Sequence, residues 1–174
     1  MNPQTEKKSL NIAVLTISDS RDESTDTSGQ YLIEALQAED HILAERKIVI
    51  DDVYRIREIL SRWIADPEVH IVITTGGTGF TGRDSTPEAA IPLFDKLVEG
   101  FGEQFRALSA TEIGSSTIQS RAVAGIANRT LIFCVPGSTG ACKTAWQGLI
   151  CDQLDSTHRP CNFASIVLTG RQVH

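Results

Sequence analysis

The sequence contains no apolar run approaching the ~20 residues that a bilayer-spanning helix requires, and its first residues lack the hydrophobic stretch of a secretion signal. On that reading the chain stays in the cytoplasm. Its cysteines, Cys134, Cys142, Cys151 and Cys161, include no C-x-x-C pair. A disulfide framework suits small secreted chains and zinc sites present ligands in close pairs, so free thiols serving mostly as packing residues are expected. The histidines, His41, His70, His158 and His174, are scattered without metal-ligand spacing, which argues against zinc. Basic clusters are missing and the formal net charge is −6, which excludes the electrostatic footprint of a duplex nucleic-acid binder. There is no Gly-x-Ser-x-Gly elbow, and no histidine stands beside a candidate serine or cysteine. A covalent intermediate on the protein is therefore not expected.

What is present fits one globular domain. The chain has 174 residues, 41% hydrophobic and 22% charged, enough to bury a core without staples. Residues 1–9 are polar and read as a flexible lead, leaving residues 10–174 as a single domain. Residues 10–16 (LNIAVLT) and 69–74 (VHIVIT) are continuous apolar, β-branched runs, the signature of strands buried on both faces. Further strands are expected over 41–50, 122–127 and 130–135, the last two around an Asn128-Arg129 turn. Between them lie helical patterns. Thr27 with Gln30 matches a capping box ahead of a Leu32, Ala35, Leu36 stripe. Val53, Ile56, Leu60, Trp63 and Ile64 repeat at helical spacing up to Asp66-Pro67. A helix opened by Thr86-Pro87-Glu88 carries Ile91, Phe94 and Leu97 or Val98 as its apolar face. Helices are also expected over 102–113 and 115–121, and a long one from Pro136-Gly137-Ser138 through Leu149. Strands alternating with helices predict an α/β fold, a three-layer α/β/α sandwich on a mostly parallel sheet with an antiparallel edge.

Ligands of such sheets bind beyond the carboxyl ends of strands. Three strand ends carry small residues and hydroxyls: Thr16-Ile17-Ser18-Asp19, Thr74 to Gly79 (TTGGTG), and Pro136-Gly137-Ser138. In Thr75, Gly76, Gly77, Thr78 and Gly79 the lack of bulk lets backbone N–H groups approach an anion while hydroxyls add donors. The Gly77-x-Gly79-x-x-Gly82 spacing is not a dinucleotide fingerprint, because the helix begins only near Thr86 and no acid ends a strand ~20 residues on. Arg83-Asp84 follows the loop. A carboxylate beside an anion calls for a cation between them, so Asp84 is the candidate for organising Mg²⁺, which takes one or two carboxylates and several waters. Asp51-Asp52 ends the second strand, where one Asp can cap the next helix while the other faces the site. Thr86 also reads as a cap, and Ser138 or Thr139 as the cap of the last helix, whose N-terminus suits an anion.

Taken together, Thr16-x-Ser18-Asp19, Thr75-Gly76-Gly77-Thr78-Gly79, Arg83-Asp84-x-Thr86-Pro87-Glu88, Gly100-Phe101-Gly102-Glu103, Ser120-Arg121 and Pro136-Gly137-Ser138 resemble the MoaB/MogA family of molybdenum cofactor biosynthesis. Asp26-Thr27-Ser28-Gly29 and Gly137-Ser138-Thr139-x-Ala141-Cys142 resemble its MoaB branch. The resemblance implies a molybdopterin-binding fold, assembly as a homotrimer or homohexamer, and adenylylation of the molybdopterin phosphate by Mg-ATP with release of pyrophosphate. A MoeA-type partner then inserts molybdate. By motif it places Asp84 and Asp51 as the catalytic acids. Thr75, Gly76, Gly77 and Gly79 lie against phosphates, and Ser18 and Ser138 line the substrate cleft. Thr78, Asp19, Arg83, Thr86, Pro136 and Gly137 complete the expected binding set. A non-catalytic molybdopterin carrier, or an unrelated phosphate-ester enzyme on a similar sheet, are the alternatives.

Overall fold

The computed structural model describes residues 6–169. Six strands form one sheet: β1 (Asn11–Ile17), β2 (Ile42–Val49), β3 (Ile71–Thr75), β4 (Lys96–Leu97), β5 (Val123–Ala127) and β6 (Thr130–Val135). Their spatial order is β2-β1-β3-β6-β5-β4. β2, β1, β3 and β6 run parallel, and β5 and β4 close that edge antiparallel. The helices are α1 (Thr27–Ala38), α2 (Val53–Ala65), α3 (Thr86–Ala90), α4 (Glu99–Ile113), α5 (Thr139–Ala145), α6 (Cys151–Leu154) and α7 (Ala164–Leu168).

The continuous apolar runs are explained by two cores, one on each face of the sheet. Successive strand side chains point to opposite faces. Ile12 and Val14 of β1, Ile71 and Ile73 of β3, and Leu131, Phe133 and Val135 of β6 pack with α1, α4 and α5. Their neighbours Ala13, Leu15, Ile17, Val72, Ile132 and Cys134 pack with Ile56, Leu60 and Trp63 of α2 and with Ala89 and Ala90 of α3. Each fully buried aliphatic contributes ~1.5–3 kcal/mol, so only a strand that is apolar at every position stabilises both layers.

Several local expectations are corrected. Asp26, not Thr27, caps α1: its carboxylate accepts from Gly29 N at 2.9 Å. Thr27 instead meets Thr139, Oγ1 to Oγ1, at 2.9 Å. The helix opened at Thr86 stops at Ala90, and a tight 3₁₀ turn, Ile91–Leu93, carries the chain into β4. Pro92 has no N–H to give and its ring clashes with the carbonyl four residues back. Ile91 and Leu97 are accordingly exposed rather than forming an apolar face. The short helix expected over 115–121 is a 3₁₀ turn, Gly114–Gln119. The last long helix includes a π-helical turn, Trp146–Ile150, and runs on to Leu154. Of the lead expected over residues 1–9, the first five lie outside the described residues. Lys7 pairs with Glu39, Lys8 N donates to Ser156 Oγ at 2.9 Å and Ser9 Oγ to Asp40 O at 2.7 Å.

The strand after β1 lies on one side of it and β3 on the other. This is the topological switch point of a parallel sheet, where the loops leaving adjacent strands diverge and open a crevice.

Candidate functional site

The crevice is a cleft of about 640 Å³, within the range of roughly 300–1,000 Å³ usual for small-molecule sites. The ends of β1, β3 and β6 meet in it, through Thr16 and Ser18, Thr75 to Gly79, and Pro136 to Ser138. On the β1 side, Ser18 Oγ accepts from Ser20 N at 3.2 Å and Arg21 N at 3.1 Å and turns the chain. That turn brings Arg21 over the cleft, where its Nη1 donates to Ser28 Oγ at 2.7 Å. Asp26 lies beneath, its carboxylate accepting from Thr16 Oγ1 at 2.6 Å and Arg46 Nη2 at 3.1 Å. Burial pushes the Asp26 carboxyl up, but Thr16, the Gly29 N–H and Arg46 outweigh it and hold it below the ordinary carboxylate value.

The Gly-rich loop is shaped by its neighbours. Gly76 has φ +107° and a side chain there would lie 2.1 Å from the carbonyl oxygen of Ile17; at Gly77, φ +67°, it would meet Thr86 Oγ1 at 2.3 Å and Asp51 Oδ2 at 2.7 Å. At Gly76 the fixed backbone leaves room only for glycine, and at Gly77 a side chain would be strained and would have to displace the Thr86 and Asp51 side chains, because the loops leaving β1, β2 and β3 cross there. Thr86 is not a cap: Ser85 holds that position. Thr86 Oγ1 donates to Gly76 O at 2.8 Å and Thr86 N to Gly77 O at 3.0 Å. With these carbonyls engaged, the N–H groups of Gly77 and Thr78 have no protein acceptor among the described residues. They belong to cleft-lining residues and are free to donate to an anion. Ser138 caps α5, accepting from Ala141 N at 3.1 Å, and leaves the first-turn N–H groups of α5 at the cleft.

The two neighbouring acids at the end of β2 separate cleanly. Asp52 caps α2, accepting from Tyr54 N at 3.0 Å and Arg55 N at 2.9 Å. Asp51 is buried, and its Oδ1 accepts from Ser85 N at 3.1 Å and from Ser85 Oγ. Burial pushes the Asp51 carboxyl up; the Ser85 bonds oppose this, and the nearby Asp84 and Asp19 carboxylates push it further up. Asp84 lines the cleft, with Oδ2 accepting from Thr81 Oγ1 at 2.6 Å and Thr81 N at 2.8 Å. The Thr81 hydroxyl is the main cause of its lowered pKa. Asp19 takes Arg83 in a bidentate pair at 2.9 and 2.7 Å and accepts from Asp51 N at 3.0 Å.

The structure thus brings Ser18, the 75–79 loop, Asp84 and the 136–138 turn to the cleft wall, while Asp19, Asp51, Arg83 and Thr86 stand outside it, tying its loops together. Sequence reasoning missed Arg21 and the far wall, to which α4 and the turn after it give Phe105, Ser109, Glu112 and Ser116. The spacing 105, 109, 112 marks one helix face, and its shift from aromatic to polar is the signal that was available. Among the described residues no group of three or more His, Cys, Asp or Glu could hold a metal. What Asp84 and Asp51 offer is hard oxygen, and Asp84 raises the pKa of Asp51 by repulsion. A single cleft carboxylate such as Asp84 is the kind of donor that Mg²⁺ takes alongside water and an anionic ligand.

Residues 13–156 match the family model described as a probable molybdopterin binding domain. The chain is 57% identical to molybdenum cofactor biosynthesis protein B of Escherichia coli K12, over 87% of this chain and 89% of that one. A crystal structure of a molybdenum cofactor biosynthesis protein B superposes with TM-score 0.84 at 40% identity, covering 92% and 94% of the two chains. The tungsten cofactor synthesizing protein MoaB from Pyrococcus furiosus superposes with TM-score 0.74 at 39% identity, covering 82% and 91%. A chain matched over most of its length, with its strand-end loops gathered in one cleft, belongs to the molybdopterin-binding-domain family of molybdenum cofactor biosynthesis proteins.

Proposed function

We propose that this protein binds molybdopterin and Mg-ATP side by side in the cleft and adenylylates the molybdopterin phosphate. A terminal phosphate oxygen of molybdopterin attacks the α-phosphorus of ATP. The new P–O bond forms as the α–β bond breaks, and pyrophosphate leaves with the electron pair. The observation that carries this reading is the meeting of three strand ends in one cleft with a carboxylate, Asp84, in its wall. The unengaged N–H groups of Gly77 and Thr78 and the first turn of α5 hold phosphate oxygens, and Arg21 adds a positive charge. Asp84, the carboxylate in the cleft wall, would hold Mg²⁺, which when bound would offset charge on the phosphate oxygens. No protein nucleophile is needed, since holding both substrates in line can itself lower the barrier by roughly 7–11 kcal/mol. The same reading carries self-association as a homotrimer or homohexamer and passage of the product to a MoeA-type partner.

One observation favours a second reading, a molybdopterin carrier without transfer chemistry: the Asp51 carboxylate is turned to Ser85 and stands outside the cleft wall. Pyrophosphate release from purified protein, molybdopterin and Mg-ATP decides. Release that needs both substrates supports transfer; molybdopterin binding without release supports the carrier. Failure to bind molybdopterin refutes both.

A further inference from the structure

We infer that Arg121 is a positioning residue for Asp84, fixing the loop that presents this carboxylate to the cleft; the inference deepens the adenylyl-transfer reading and rests on it. Arg121 follows the Gly114–Gln119 turn and precedes β5, remote in sequence from the loop it holds. Its backbone N–H donates to Thr78 O at 3.2 Å, its Nε to Gly79 O at 2.9 Å and its Nη2 to Asp84 O at 3.1 Å. Nη1 pairs with Glu88 in the first turn of α3. The guanidinium also lies over the Phe80 ring, 5.2 Å from its centroid.

One planar group therefore pins both ends of the 79–84 excursion. Within that excursion the Asp84 carboxylate takes its side-chain and backbone donors from Thr81, at 2.6 and 2.8 Å. These bonds are internal to the loop, so they orient the carboxylate relative to the loop and not relative to the cleft. Outward, Arg83 is tied to Asp19 and Ser85 to Asp51, and Arg121 adds the anchor whose guanidinium reaches Gly79 O and Asp84 O together. A guanidinium can serve three acceptors at once in a fixed fork, whereas a lysine ammonium on a flexible stem cannot reproduce that geometry. Groups that orient a metal-binding carboxylate typically change metal affinity or activity by about 10–100-fold when replaced.

The test is Arg121→Lys, which keeps the charge and removes the fork. Hydrogen exchange at the Thr81 amide reads the loop directly, without any turnover, and is expected to accelerate. The Mg²⁺ concentration giving half-maximal pyrophosphate release is expected to rise about 10-fold or more, with kcat lowered and KM for molybdopterin nearly unchanged. A merely structural role would instead weaken both substrates and leave the Mg²⁺ requirement alone. Should Arg121→Lys not fold, Glu88→Gln removes only the ion pair and is expected to shift the same two readouts in the same direction by a smaller factor. Unchanged Thr81 exchange or an unchanged Mg²⁺ requirement overturns the inference. If the unsubstituted protein releases no pyrophosphate, the catalytic reading fails by itself, and Thr81 exchange still decides whether Arg121 sets the loop.

Discussion

Replacing Asp26 by alanine should be among the most damaging single changes near the cleft. The Asp26 side chain is 0% exposed and faces Arg46 at 3.1 Å. It accepts from Thr16 Oγ1 at 2.6 Å, Gly29 N at 2.9 Å and Ser28 Oγ at 3.3 Å. Alanine leaves a helix N-terminus uncapped, which costs ~0.5–2 kcal/mol. It also strands a largely buried guanidinium, and breaking a buried pair by removing one partner costs ~3–5 kcal/mol. Both losses come from one carboxylate and do not add, so ~3–5 kcal/mol is the expected total. At roughly 2–4 °C per kcal/mol for a chain of this size, the Tm should fall by about 6–20 °C. Asp26→Asn can keep the cap bond from Gly29 N but turns its amide nitrogen to Arg46 and Thr16, so it should recover no more than the ~0.5–2 kcal/mol of the cap. The folded pKa of Asp26 is lowered, so its contribution is present above the ordinary 3.8 and is lost as pH falls through the folded value. The gap between the unsubstituted and alanine forms should therefore narrow in acid. Thermal melts and urea denaturation across pH, at matched protein concentration, measure the Tm change and the free-energy gap. A loss below ~1 kcal/mol at neutral pH would refute the reasoning, showing that desolvation of the carboxylate cancels its bonds.

Gly76→Ala combines a positive φ with a 2.1 Å approach to the Ile17 carbonyl, whereas Gly82 has no neighbour within 4 Å. The first should cost at least ~1–3 kcal/mol and the second lie within about ±0.5 kcal/mol, as read by thermal melts. Asp51→Asn should raise stability at neutral pH while lowering pyrophosphate release. Burial raises the Asp51 pKa, so deprotonation costs stability as pH rises through the folded value, and melts should converge below 3.8 where both side chains are neutral. Asp84→Asn should leave molybdopterin binding largely intact and slow transfer about 100-fold; unchanged turnover removes Asp84 from the reaction.

The strands were legible because a sheet covered on both faces needs apolar residues at consecutive positions, and 10–16, 69–74 and 130–135 supply them. β4 was not, since two residues, Lys96 and Leu97, carry no period. The capping box at Thr27 misled because the sequence pattern is indifferent to the competing Asp26, whose carboxylate is drawn inward by Thr16 and Arg46. The Gly-rich loop announced itself as a backbone feature. Only the crossing with Ile17, Asp51 and Thr86 explains why glycine is demanded there. Which of Asp51 and Asp52 faces inward depends on where α2 starts, a matter of one residue that coordinates decide and patterns do not. Arg83 and Asp19 read as members of the binding set, and no pattern announces that they also form a bidentate pair, a tertiary contact between residues far apart in sequence.

Whether the cleft joins two phosphates can be measured directly. Incubating the protein with molybdopterin, Mg²⁺ and ATP labelled at its α-phosphorus, then separating the pterin fraction, asks this without reference to any variant. Label travelling with the pterin, in step with pyrophosphate, is the predicted result. Label remaining on ATP while molybdopterin is bound at full occupancy would contradict it.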